Sequence, residues 1–233
     1  MQPAAPARAT AGSDGDELPQ TAAGHLVLFM HPMGGPRSGS FSWLERRYGE
    51  GLRCPDMSVG IVRPDKRNSI GRRLIANAFS APPWRLLALA LHDSLDGCVA
   101  VQLQELEAAS VRLDLVVAES WGAIVALLLL SQGRWRGPTL LISPALSHAS
   151  HACGVHAPER APEAVAAEIA RRLTAEERRR MLIVHGLEDR MCPIEDVRAL
   201  SRTAGIELVE LAGTDHFMRD PRGACAIDAQ QGG

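Results

Sequence analysis

Five short apolar runs separated by stretches of helical spacing constrain this chain more than any other feature: Leu26–Met30, Leu113–Ala118, Thr139–Ile142, Met181–Val184 and Leu208–Leu211. They are apolar at most positions instead of strictly alternating, so each reads as a strand buried on both faces. Strands of that kind interleaved with helices imply an α/β fold: a mostly parallel, doubly wound sheet with helices on both sides. At 233 residues the chain is long enough for one such domain and its core.

The intervening segments support this. Leu95, Val99, Leu103 and Leu106 form one apolar stripe ahead of the second run. Pro193, Val197, Leu200 and Gly205 mark a helix started by proline and stopped by glycine after the fourth. From Gly122 to Leu130 the chain is apolar on nearly every side and closes at Gly133, as expected of a central buried helix. A charged helix is expected around Ala161–Leu173, preceded by a His-rich loop. A further strand-like piece spans Leu52–Met57.

Residues 1–24 are rich in Ala, Pro, Gly and acids with almost no large apolar residues, so burial cannot offset their ordering entropy; they read as a flexible leader. The domain then runs over 25–220, with a flexible tail at 221–233. The formal net charge of −2, with both signs mixed along the chain, leaves no basic field for nucleic acid. Five scattered cysteines without a C-x-x-C pair, and no secretory signal, point to a reducing cytoplasmic setting. The uninterrupted apolar stretch Ala123–Leu130 is far shorter than a bilayer span, so no stable membrane insertion is expected.

The chemistry concentrates at the ends of the expected strands. Ala118-Glu119-Ser120-Trp121-Gly122 lies between a strand and the buried helix. Small residues two removed on either side of a serine are what a very tight strand-to-helix turn demands, since a larger side chain would strike the neighbouring element. Gly186-Leu187-Glu188-Asp189 follows the fourth run and leads into the proline-started helix. Ala212-Gly213-Thr214-Asp215-His216-Phe217 follows the fifth. An imidazole suits taking a serine proton and returning it to a leaving group, and a carboxylate suits holding that imidazole in one tautomer.

In this order and context the three segments resemble the nucleophile elbow, acid turn and histidine loop of the α/β-hydrolase superfamily, over most of the chain from 25 to about 220. The resemblance implies Ser120 as nucleophile, Asp189 as acid and His216 as base. Ala118 stands where the family usually has glycine, and Ala123 where a further glycine often follows. The turn Leu28-Phe29-Met30-His31-Pro32-Met33-Gly34-Gly35 resembles the family's oxyanion turn and implies the backbone N–H groups of Met33 and Trp121 as oxyanion donors. Pro32 lacks an N–H, but the mapping asks only for that of Met33. Pro36-Arg37-Ser38, Ser143-Pro144-Ala145 and the Asp189 to His216 spacing are similar to small bacterial esterases of the YqiA type. The implied activity is hydrolysis of a small or medium acyl ester or thioester without cofactor or metal. A catalytically silent binding protein and an acyltransferase with the same three residues are the rival readings.

Other features admit plainer readings. Glu188 is a fallback acid with the wrong offset; His31, His185 and Glu119 read as structural. His148, His151, Cys153 and His156 have zinc-type donors but match no zinc spacing. Arg63, Lys66, Arg67, Arg72 and Arg73 either meet a substrate anion or form a solvated helix start. Trp84 and Leu86–Leu91 either wall an acyl-binding mouth or belong to a core helix, leaving a minimal cap or none.

Overall fold

A computed structural model describes residues 24–36, 38–60, 65–78, 82–109, 112–153 and 157–218. Residues 1–23 of the expected leader, the expected tail at 221–233, Arg37, Arg63 and His156 lie outside the described residues, as does the side chain of Trp84.

Six strands, β1 (Leu26–Met30), β2 (Leu52–Arg53), β3 (Leu113–Glu119), β4 (Thr139–Ile142), β5 (Met181–Gly186) and β6 (Glu207–Leu211), form one sheet in the order β2-β1-β3-β4-β5-β6. Every neighbouring pair is parallel. All five apolar runs are strands. The strand-like Leu52–Met57 is corrected to two residues: Pro55 cannot donate to a ladder, and beyond it the Met57 N–H turns instead to the ring of His31 at 2.9 Å.

Side chains alternate between two cores, which is why the strands are apolar throughout. Leu28, Met30, Val116 and Ala118 enter the larger core, whereas Val27, Phe29 and Val117 enter the smaller one on the opposite face. The larger core is closed by α3 (Pro83–Ala109), α4 (Trp121–Ser131), α5 (Leu146–Cys153), α6 (Pro162–Arg172) and α8 (Ile194–Ala204); α1 (Gly39–Tyr48) covers the smaller through Leu44. Two short helices, α2 (Ile70–Asn77) and α7 (Ala175–Arg179), complete the set among the described residues.

Helix α4 is buried at every position, matching its uniformly apolar sequence. It closes at Gly133, whose φ of +70° turns the chain so that the Arg134 N–H returns to the Leu129 carbonyl at 2.9 Å. Of the expected stripe, Leu95, Val99 and Leu106 are buried on α3 and Leu103 is partly buried, and Ala88, Ala90 and Leu91 extend it, so Leu86–Leu91 belongs to a core helix and not to a lid. Its segment Arg85–Ala109 is long and apolar enough to cross a membrane, but it packs along α2, α4 and α5. The His-rich loop is corrected to a helix, α5: Leu146, Ala149 and Cys153, at helical spacing, are all buried against the larger core.

Helix α4 lies tight against the end of β1 at Gly122. A Cβ there would lie 2.0 Å from the Met30 carbonyl oxygen and 2.8 Å from that of His31. Gly122→Ala should therefore force α4 away from β1 and destabilise by about 1–3 kcal/mol or more. Ala123→Gly, which only loses helix propensity and a methyl, should cost about 1 kcal/mol. Urea unfolding of the two variants checks the order, and equal midpoints would sink the argument.

Candidate active site

The strand order reverses direction at β1 and β3, and the crevice at the carboxyl ends of such neighbours is where α/β sheets bind ligands. The residues of the expected catalytic constellation sit at that edge. Ser120 follows β3, His31 to Gly35 follow β1, Asp189 follows β5 and His216 follows β6. A cavity of about 460 Å³ lined by Gly24, His25, Leu26, Arg53 and Arg112 lies at the opposite edge, among the strand starts.

Ser120 has φ 54° and ψ −111°, a strained conformation for a residue with a Cβ. Its backbone is held from both sides: the N–H donates to Ile142 at 2.8 Å, and the carbonyl accepts from Ala145 at 3.2 Å. Ala118, fully buried in register with Met30 and Leu141, shows that a methyl fits where the family usually has glycine. The result presents the Ser120 hydroxyl beyond the strand end with only 8 % of the residue exposed.

The acid and histidine loops are zipped together. Leu187 N–H donates to Leu211 at 2.9 Å and Glu188 N–H to Thr214 at 3.0 Å, extending the β5–β6 pairing past its end. Gly186 permits this, since a Cβ there would meet the Thr214 carbonyl at 2.2 Å. Asp189 Oδ1 accepts the N–H groups of Met191 and Cys192 at 2.8 and 2.9 Å, leaving Oδ2 to face His216 Nδ1 at 2.7 Å. On the other side of the same ring, Nε2 lies 3.0 Å from Ser120 Oγ. A proton on Nδ1 satisfies the carboxylate and leaves Nε2 to accept from the hydroxyl. Glu188, the fallback acid, is exposed.

Burial alone would push the Asp189 carboxyl up, but the hydrogen bonds from His216, Cys192 and Met191 and the charge of a protonated His216 outweigh it and hold it below the ordinary carboxylate range. His185 reaches the Cys192 carbonyl through Nε2 at 3.0 Å, and burial lowers its pKa, so it braces this loop in the neutral form. His31 is likewise a brace: Nδ1 donates to the Pro32 carbonyl at 2.7 Å, Nε2 accepts from Met57, and burial lowers its pKa.

Met33 sits in the turn closed by the Gly35 N–H on the Pro32 carbonyl at 3.3 Å, half-buried against the core. Trp121 opens α4, where a backbone N–H has no partner four residues earlier within the helix. Gly122, next to Trp121, rests against the carbonyls of Met30 and His31, at the start of the turn that carries Met33.

Three residues near the site have surroundings that the sequence did not indicate. Ser38 was part of a family-like run; here it caps α1, accepting from Phe41 N–H at 3.2 Å, and its hydroxyl donates to Glu119 Oε2 at 2.6 Å. That carboxylate is buried behind the elbow, as expected. His148 lies on α5 within reach of the charge of His216, and it does not join Cys153, which is buried while His148 and His151 are exposed. Cys192 lies beside Asp189 and His216, and its only sequence signal is its place three residues after the acid. Of the basic residues, Lys66 pairs with Asp56 and Arg73 reaches Asn68 at 3.5 Å.

The architecture and the serine at its elbow define the α/β-hydrolase fold. Solved structures share it across nearly the whole chain: the esterase domain of a Rhodothermus marinus protein (13 % identity, TM-score 0.53, 91 % of this chain and 88 % of that one); a monoacylglycerol lipase from Paleococcus ferrophilus (15 %, 0.51, 88 % and 91 %); and an alpha-beta serine hydrolase homologue from Coxiella burnetii (12 %, 0.50, 91 % and 84 %). No protein-family model matches the sequence, and no curated protein matches it.

Glu119 behaves oppositely to Asp189. Burial raises its pKa above 4.5, only partly offset by the Ser38 hydroxyl, the charge of His216 and Ser40. Between 4.5 and that raised value the folded state keeps a proton the unfolded state has lost, so stability falls as pH rises across the window and stays lowered above it. Glu119→Gln should remove this loss, so the difference in melting temperature between variant and wild type should grow in the variant's favour as pH rises from about 4 to 8. Thermal melts across that range test the sign.

Proposed function

We propose that the chain is a serine hydrolase that cleaves small or medium acyl esters, thioesters included, through an acyl-enzyme intermediate. The observation that carries this reading is one imidazole set between a buried carboxylate at 2.7 Å and a serine hydroxyl at 3.0 Å on a strained turn.

In the proposed mechanism Ser120 Oγ attacks the acyl carbon while His216 Nε2 takes its proton, and Asp189 balances the imidazolium that forms. The N–H groups of Met33 and Trp121 stabilise the oxyanion. The protonated ring then delivers its proton to the leaving alcohol or thiol, and water activated by the same ring releases the acid. No metal or cofactor enters a step.

Esters are preferred over amides on the analogy of the esterase and lipase whose fold is shared. Exposed Leu187, Met191 and Phe217 around the acid and histidine loops support an apolar acyl group, Phe217 lying edge-on to His216 with centroids 5.4 Å apart. The unpaired cysteines among the described residues, Cys54, Cys98, Cys153 and Cys192, support a cytoplasmic setting.

A fluorophosphonate should label Ser120, and a series of acyl esters should be hydrolysed. Ser120→Ala and His216→Ala should lower turnover by on the order of 10⁴ to 10⁶ with the fold intact, and Asp189→Asn by on the order of 10⁴. Folded protein that takes no label would instead be a binding protein. Transfer to an added alcohol in preference to water would make it an acyltransferase.

A further inference from the structure

The acid turn holds more than the hydrolase reading uses. Asp189, Cys192 and His216 are all buried, and each offers a ligand atom within 4.8 Å of the other two. Two of the donors come from one turn, which is pinned because the Cys192 N–H is itself bonded to Asp189 Oδ1 at 2.9 Å and the Cys192 carbonyl is held by His185 at 3.0 Å. The third comes from the loop zipped to that turn by the Glu188 to Thr214 hydrogen bond.

A carboxylate oxygen, a thiolate sulfur and an imidazole nitrogen are the donors zinc accepts. With bonds of about 2.0–2.3 Å a tetrahedral zinc spaces its donors roughly 3.5 Å apart, so side-chain rotations of about an ångström close the set, and a fourth position stays open for water. Magnesium and calcium would find one oxygen and two unsuitable donors.

We propose that Asp189, Cys192 and His216 form a binding site for Zn²⁺ that silences the serine. On binding, the Cys192 thiol gives its proton to solvent and its sulfur bonds to the metal. The imidazole proton moves from Nδ1 to Nε2, so Nδ1 bonds to the metal, and Asp189 exchanges its ring hydrogen bond for a metal bond. Zinc, carboxylate and thiolate sum to no net charge, which suits a buried position. The ring now points an N–H at Ser120 Oγ, where it previously held a lone pair, and it can no longer accept the serine proton. That silencing rests on the hydrolase reading; the binding itself does not.

Zinc titrated into the full chain and followed by calorimetry, with cobalt as a spectroscopic substitute, separates the two. Wild type should bind one zinc, and the cobalt form should show a thiolate-to-metal absorption band. Cys192→Ala should lose that band and weaken zinc binding by more than about 100-fold, beyond the 10–100-fold typical of changes outside the ligand set. Ser120→Ala should bind zinc as wild type does. A cobalt form of wild type without the thiolate band overturns the site even if Cys192→Ala fails to fold. So does full affinity in Cys192→Ala with loss in His148→Ala, which would move the metal to the neighbouring histidine. If zinc binds with the thiolate band but the zinc-free chain turns over no ester, the site stands and the hydrolase reading falls. If esters are hydrolysed and chelator-reversible inhibition is absent at saturating zinc, the silencing falls.

Discussion

The contact between the first turn of α4 and the end of β1 is the constraint on which the rest depends. Gly122 rests against the Met30 and His31 carbonyls with no room for a Cβ, and only at that distance can the chain pass from β3 into α4 within one residue. The residue caught in the passage is Ser120, whose φ of 54° is the backbone solution that remains. Such strain costs on the order of 1–3 kcal/mol and persists only where surrounding structure over-determines it. Here the overdetermination is visible: bonds to Ile142 and Ala145 fix the Ser120 peptide groups, and the fully buried helix α4 anchors the chain immediately after it.

The same contact bears on the turn that carries Met33, one of the two proposed oxyanion donors. Because α4 begins against the His31 to Gly35 turn, the Trp121 N–H and the Met33 loop are set by one packing event, and His31 then braces the turn against the segment after β2. The two-residue length of β2 has the same origin: the Met57 N–H is taken up by His31 and is lost to the ladder.

Much of this was legible in the sequence because it is written in local terms. Strands buried on both faces must be apolar throughout, and β1 and β4 fall on the expected residues. The serine, acid and histidine were readable because each sits just after such a strand, where tight turns restrict residue choice. The features that escaped were long-range or masked by composition. Helix α5 carries three of its eight residues as His or Cys, which reads as a polar loop until Leu146, Ala149 and Cys153 are seen to share one buried face. Ser38 and Glu119 are 81 positions apart, and no spacing rule joins them. Cys192 looks like an isolated thiol because its neighbour His216 comes from another loop.

Two buried carboxylates at the site show how environment, and not residue type, divides the work. Asp189 accepts two backbone N–H groups and a ring nitrogen, enough to keep it ionised despite burial, and an ionised acid is what holds the imidazole proton on Nδ1. Glu119, one residue before Ser120, has the Ser38 hydroxyl as its closest donor, and burial prevails, so its affinity for a proton rises. Were both held as firmly ionised, two negative charges would flank the Ser120 turn and oppose the oxyanion of the proposed reaction. The division places the fixed negative charge behind the imidazole and eases it beneath Ser120, which supports the acyl-transfer chemistry proposed for this site.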